Sequence, residues 1–206
     1  PTPDAANGTV GFTTYTQEVT ATVEAGYYGG AQSVGLSCAD PTATIYYTLN
    51  GAIPTTGSTV YAGTINLNNT TTLRAMALSG DVQRGESLVM TNTYFFGNDQ
   101  HSIPVVNIAG ASLNDGEWFG DELCHIEFFD GNGAFWVEST GDSNEHGNDS
   151  NAYDQRGFDY VTRDEMGDSW ALFAELFSTK NRDDFQRLIF KAAANDNYTF
   201  SGGAHI

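Results

Sequence analysis

Ala43-Thr44-Ile45-Tyr46-Tyr47-Thr48-Leu49-Asn50-Gly51-Ala52-Ile53-Pro54-Thr55 is the stretch from which the fold can be read. Ile45, Tyr47 and Leu49 alternate with Thr44, Tyr46 and Thr48, the period-two pattern of a pleated strand built from β-branched and aromatic residues. Asn50-Gly51 follows at once, the dipeptide best suited to positive φ at both centres of a tight hairpin turn. Pro54 has no N–H to give a ladder, so the strand does not continue past it in a paired position. Strand, turn and stop fall within one short segment, which predicts a β-sandwich and carries no active-site motif.

Composition points the same way. The chain has 206 residues, enough for one large domain or two small ones. Glycine (23), tyrosine (10) and many Thr and Asn residues make it turn-rich and β-prone. Eight basic against 26 acidic residues give a net charge of -18, so no basic patch exists to neutralise phosphates. Nucleic acid and anionic membranes are thereby excluded as partners. Such acidity fits a highly soluble surface protein or one that binds cations. Cys38 and Cys124 lie far apart in the sequence and in different predicted domains, which argues against a disulfide framework and a Cys-based zinc site. No long apolar run is present to span a membrane as a helix. The chain starts at Pro1 without Met or a signal peptide, which leads us to expect a processed product or an excerpt.

Residues 1–11 are small and polar and read as a linker. Val19, Ala21 and Val23 alternate as a first strand, and Val34, Leu36 and Cys38 form the inner face of a second, ended by Asp40-Pro41. Beyond the opening stretch, Ile65 and Leu67 alternate before the Asn68-Asn69 turn. Leu73, Ala75 and Ala77 then face one way and Thr72, Arg74 and Met76 the other. A last strand covers Leu88–Phe96. Short strands with turn signals every 8–12 or so residues predict a sandwich over residues 12–97. Tyr27, Tyr28, Tyr46 and Tyr61 are candidate contacts for a glycan or a protein partner, set against a plain packing role for amphipathic aromatics.

In order, Gly26-Tyr27-Tyr28, the Ile45–Thr55 stretch, Tyr61-Ala62-Gly63, Thr72-Leu73-Arg74-Ala75 and Thr93-Tyr94 resemble the chitobiase/β-hexosaminidase C-terminal-type domain. That family is an immunoglobulin-like antiparallel sandwich. Asn50 stands where its motif usually has Asp, which keeps the turn chemistry because both tolerate the left-handed region. The resemblance implies an accessory module of a secreted multidomain bacterial protein, with no chemistry of its own.

A polar hinge at residues 98–102 leads to a second domain over residues 103–206. Cys124, Ile126 and Phe128 alternate with His125, Glu127 and Phe129; Asp130-Gly131-Asn132-Gly133 turns the chain and Phe135–Val137 returns it, a hairpin. Gly141–Ala152 is the most polar run and reads as a loop. It fails as an EF-hand because Tyr153 stands where a bidentate Glu is required. As an irregular oxygen-rich loop it offers Asp142, Asn144 and Asp149 to a calcium ion, set against a plain solvated loop. Trp170, Phe173, Ala174 and Phe177 fall at helical spacing and predict a short helix, with Asn181 able to cap a further turn. Phe185–Ala192 fits helix and strand alike by periodicity.

Ile103-Pro104-Val105-Val106, Phe128-Phe129-Asp130-Gly131, Gln155-Arg156-Gly157-Phe158, Arg163-Asp164-Glu165-Met166-Gly167 and Phe185–Lys191 are similar to the start of the CotH-type spore-coat kinase family. That resemblance implies a smaller α+β domain, a partial kinase-like N-lobe, with Arg187–Ala192 as a strand. It also implies ATP and Mg2+ as cofactors, with Arg156 as the phosphate contact in place of a lysine. The substitution is not neutral, because a planar fork replaces a compact point charge. The acidic metal ligands of that family would lie beyond Ile206, and no Walker-type loop is present. Among other constellations, Glu127, Glu138 and Asp130 can be drawn as acid/base pairs, but nothing in the sequence fixes their separation.

The fold expected is therefore mainly β: an Ig-like sandwich followed by a smaller α+β domain. The function expected is a secreted or cell-surface structural or binding module pair, non-catalytic, with no catalytic residue assigned. Its partners would be other extracellular proteins, further copies of itself or glycans. A CotH-like kinase and a carbohydrate-binding accessory module are the alternatives. If Asp142, Asn144 and Asp149 hold calcium, chelation lowers the melting temperature; a melt unchanged by chelator removes the ion from the account.

Overall fold

Alternating side chains sort the first module into two layers. The computed structural model describes residues 12–110, 122–146, 157–164, 166–167 and 169–191. One layer is a five-stranded sheet in the order β3 (Gly26–Tyr28), β11 (Met90–Phe96), β9 (Thr71–Leu78), β6 (Thr44–Thr48) and β7 (Thr59–Val60). Only the β3–β11 pair in it is parallel. The other layer is made of short pairs. In it β2 (Val19–Ala21) lies beside β5 (Leu36–Cys38), and β4 (Gln32–Val34) beside β8 (Ile65–Leu67). Val19, Val34, Leu36, Ile65 and Leu67 from the short pairs meet Leu73, Ala75, Ala77 and Tyr94 from the large sheet in one buried cluster. Such packing of two inner faces defines a sandwich. A third pair, parallel, joins β1 (Thr14–Tyr15) to β10 (Arg84–Gly85).

The opening stretch behaves as a strand, but its return is wider than a two-residue hairpin. Ile45 and Tyr47 pack on the core, whereas Leu49 has left the ladder and is exposed. Gly51 takes φ of 77° and its N–H donates to Thr72 O, so the segment crosses toward β9 before turning. The next strand in sequence to pair with β6 arrives only at Thr59-Val60. The side chain of Asn50 accepts from the N–H of Ala52, and the Thr48 hydroxyl donates to Ala52 O. Local Asx bonding thus shapes the turn, while pairing with β9 sets its direction.

In the second module, β12 (Val105–Gly110), β13 (Glu122–Phe129), β14 (Phe135–His146), β15 (Gly157–Thr162) and β18 (Arg187–Phe190) form one antiparallel sheet in that order. The hairpin between β13 and β14 is the one expected: Asp130 Oδ1 accepts from the N–H groups of Asn132 and Ala134, and Gly133 has φ of 80°. Cys124, Ile126 and Phe128 face outward from the first module into a core with Tyr160, Leu172, Phe185 and Leu188. A two-stranded ribbon of β16 (Leu172–Phe173) and β17 (Asp184–Phe185) covers that face.

That ribbon corrects the expected α+β architecture. No α-helix occurs among the described residues, and the one helical turn there is 3-10, at Gly97–Asp99. Trp170, Phe173 and Phe177, at helical spacing, are about half exposed, while Ala171 and Leu172 between them are buried. Extended pairing with β17 puts Leu172 into the core, and the apparent helical stripe faces water. The kinase-like lobe expected from the second resemblance is thus not supported. Its strand at Arg187 is present, as β18 from Arg187 to Phe190, so tertiary pairing settles the ambiguous period.

Asp40 fastens the β5–β6 connection to the end of β9. Its carboxylate accepts from Ser79 Oγ at 2.7 Å, Thr42 Oγ1 at 2.7 Å and Thr42 N at 2.8 Å. The Ser79 bond, then the two from Thr42, hold its pKa at about 2, below the ordinary 3.8. A depressed carboxyl stabilises the fold above its unfolded pKa and loses that effect as pH falls through the folded value. Asp40→Ala is therefore expected to melt at lower temperature than the parent near neutrality, with the difference shrinking as pH falls from 3.8 to about 2. Thermal melts of both proteins across that range check this.

Candidate functional site at the junction of the two modules

Arg74 and Met76 lie on the face of β9 that points away from the sandwich core, yet both are fully buried. Arg74 lies close to Cys124 and Glu127 of the second sheet. Glu127 on β13 is 0% exposed and accepts from Thr93 N at 2.9 Å, from the Thr93 hydroxyl, and from Asn107 Nδ2 at 3.0 Å. The Asn107 amide also donates to Thr93 Oγ1 at 2.8 Å, and the Thr72 and Thr93 hydroxyls are 3.0 Å apart. Two strands of each module thus share one buried polar knot. Beside it, Arg74 donates to Thr91 Oγ1 and to Gly51 O, each at 3.2 Å.

Aromatic contacts surround the knot. Phe95 meets Phe129 edge-on at 5.1 Å between ring centroids, and Tyr27 meets Phe95 at 5.2 Å. The β13–β14 turn comes so close to β3 that Gly26 and Ala134 form an isolated bridge. A Cβ at Gly133 would lie 2.0 Å from Tyr27 Cγ, so only glycine fits there. The connecting segment is also tied down: Gln100 Nε2 donates to Tyr28 O, and His101 N to the Tyr27 hydroxyl.

Burial dominates the electrostatics. It pushes the Glu127 carboxyl up, against the opposing influence of His125 and of the hydrogen bonds from Thr93 and Asn107. It pulls the Arg74 guanidinium down to about 10, with the nearby Cys124 and Glu127 acting the other way. The Cys124 thiol rises to about 11, chiefly by burial. Both cysteines are free thiols.

The second sheet carries further contacts between acidic and basic side chains on its junction-side face. His125 Nε2 is 3.2 Å from Glu138 Oε2, Arg163 Nε donates to Asp142 Oδ2 at 2.7 Å, and Arg187 Nη2 to Asp159 Oδ2 at 2.5 Å. His146 Nδ1 lies 3.3 Å from Asp159 Oδ1. Glu127 and Glu138 stand directly opposite each other across β13 and β14, but Glu127 is sealed from solvent while Glu138 is exposed. They are not a carboxylate pair that a substrate could reach together. Asp130 is in the hairpin turn, serving its backbone.

The residues singled out by sequence are dispersed. Tyr27 packs in the junction. Tyr28 and Tyr61 pack against the sandwich core, with the Tyr28 hydroxyl donating to Glu24 O at 2.6 Å. Tyr46 points to the other face of β6, opposite Met76 on β9. The four do not form one platform. The Gly141–Ala152 run is no simple loop, because β14 continues through His146 and places Asp142 and Asn144 in a strand. A guanidinium on Asp142 competes with any cation for that carboxylate. Among the described residues no group of three His, Cys, Asp or Glu is placed to hold a metal ion. Asp149 and Arg156 lie outside the described residues.

Two cavities stand out. A cleft of about 820 Å³ at the junction is lined by Tyr15, Thr16, Gln17, Glu18 and Leu88 of the sandwich and by Asp164 and Gly167 of the second module. A groove of about 380 Å³ on the far face of the second sheet is apolar, with Val106, Phe128, Trp136, Phe177, Leu188 and Phe190 among its walls. Sequence reading passed over Tyr15, because residues 12–15 show no strand period; only its pairing with β10 reveals a fixed position.

The chain is thus mainly β, with an Ig-like sandwich packed against a second antiparallel sheet. Within it, residues 23–90 match the family model of the chitobiase/beta-hexosaminidase C-terminal domain. No curated protein matches the chain, and no solved structure does. Nothing in these comparisons supports the CotH-type resemblance of the second module. No helix among the described residues is long and apolar enough to cross a membrane.

Removing the Glu127 carboxylate leaves the buried Thr93 N–H without its acceptor and takes away one of the partners of the Asn107 amide. Glu127→Ala is expected to cost about 3 kcal/mol in urea unfolding. A raised carboxyl pKa stabilises fully below the ordinary Glu value and loses that effect as pH rises through the folded value. Glu127→Gln, which cannot ionise, should therefore flatten the fall of stability with rising pH above 4.5, as read from urea midpoints at several pH values.

Proposed function

We propose that this chain is a non-catalytic, extracellular glycan-binding unit in which the sandwich and the second sheet act as one rigid body. The observation that carries the reading is the match of residues 23–90 to a domain named for chitobiase and β-hexosaminidase, enzymes whose names refer to amino-sugar substrates. The junction supports it. The acid and base groups brought together there are engaged with one another or with the backbone: Glu127 with Thr93 and Asn107, His125 with Glu138, Asp142 with Arg163 and Asp159 with Arg187. They hold modules and strands together. The net charge of -18 suits a soluble unit displayed among neutral polymers.

Incubated with a glycan array, the full chain is expected to give signal on amino-sugar or other neutral oligosaccharides and to turn over none of them. A blank array argues against glycan binding, and release of reducing sugar argues against the non-catalytic assignment.

A further inference from the structure

The geometry points to the junction cleft as a carbohydrate subsite for neutral sugars, with the Tyr15 ring as its stacking surface. The inference rests on the glycan-binding reading and adds to it a place and a sugar class. Tyr15 is 69% exposed and Phe12 beside it 59%, a large aromatic surface to leave in water. The backbone beside Tyr15 is nevertheless held in place. The N–H and hydroxyl of Thr16 donate to Gly85 O at 2.9 and 2.7 Å, and Ser79 N donates to Thr16 Oγ1 at 3.1 Å, anchoring the strand that bears Tyr15. Gly85 provides a flat seat: a Cβ there would lie 3.0 Å from Tyr15 Cδ1 and 3.3 Å from Phe12 Cδ2.

Around this surface the cleft offers the groups a sugar needs. A pyranose has one face of C–H bonds and a rim of hydroxyls. An aromatic ring matches the first, and planar amide and carboxylate groups, able to bond two hydroxyls at once, match the second. Gln17 and Glu18 come from the sandwich and Asp164 from the second module. Arg84 Nη1 donates to Gln17 Oε1 at 3.4 Å, which directs the Gln17 amide. The turn that carries Asp164 is held by Arg163 N donating to Thr140 O at 3.1 Å and Met166 N to Arg163 O at 3.1 Å. Both modules contribute, so the cleft exists only while the Glu127 knot keeps them in register. Its volume and its place between two modules are those typical of ligand sites.

Charge selects the sugar class. Glu18 and Asp164 line the cleft, and Arg84, the basic group beside Gln17, is itself 3.8 Å from Asp81. Uronates and sulfated sugars are repelled, while neutral and N-acetylated sugars are admitted. The apolar groove bearing Trp136 lacks a comparable set of planar polar groups, having only Glu175, and does not share this chemistry.

The test is affinity electrophoresis of the full chain through gels containing a soluble chitin polymer such as glycol chitin, a neutral glucan or polygalacturonate. The parent should be retarded by a neutral polymer and not by polygalacturonate. Tyr15→Ala should weaken retardation about tenfold, Tyr15→Phe should keep it, and Trp136→Ala should leave it unchanged. Asp164→Ala, in an exposed turn, should weaken it too, and decides the matter if Tyr15→Ala melts early. Retardation that survives both Tyr15→Ala and Asp164→Ala overturns the subsite while the glycan-binding reading stands. Equal retardation by polygalacturonate overturns the neutral-sugar assignment. No retardation of the parent in any gel overturns the subsite and the reading on which it rests.

Discussion

A carboxylate removed entirely from water holds this molecule in its shape. Glu127 reaches from the second sheet to the backbone and hydroxyl of Thr93 on the first, with Asn107 completing its bonds. Burying a carboxyl group is unfavourable unless its oxygens find hydrogen-bond partners, and a partner set contributed by both sheets fixes how they meet. The aromatic contacts of Phe95 with Phe129 and Tyr27 add apolar burial, but such contacts tolerate sliding. The carboxylate does not.

Several features follow from that fixed register. Gly133 must be glycine because the hairpin turn of the second module comes up against Tyr27. Arg74 and Met76 are buried although they lie on what would be the solvent face of an isolated sandwich. After the 3-10 turn at Gly97–Asp99, the Gln100 amide bonds back to Tyr28 O and Phe95 O of the sandwich. The cleft beside Tyr15 takes its far wall from the second module for the same reason.

Much of the fold was legible in the residues. Leu73, Ala75 and Ala77 alternate against Thr72, Arg74 and Met76, and β9 divides its faces that way. The hairpin through Asp130–Gly133 was legible because its turn is closed by local bonds from Asp130 to the backbone. Misreadings arose where distant pairing overrode local pattern. Trp170, Phe173 and Phe177 have helical spacing, but the partner strand at Asp184–Phe185 draws Leu172 inward and extends the chain. Polar composition marked Gly141–His146 as a loop, yet β15 pairs along its whole length. Asn50-Gly51 carries good turn chemistry, but the bond from Gly51 to Thr72 O turns it toward β9.

The candidate site was much less legible than the fold. Tyr27, Tyr28, Tyr46 and Tyr61 are conspicuous in sequence, and the packing scatters them among core, junction and sheet face. By itself the sequence determined the strand periods, the turn positions, the excess of negative charge and the likeness of its first module to a known domain, because each depends on neighbours in the chain or on composition. Which strand faces meet, the burial of Glu127 and the cleft shared by Tyr15 and Asp164 arise in the folded chain alone. Those facts depend on contacts between residues far apart in the sequence, and no local pattern records the orientation in which two modules dock.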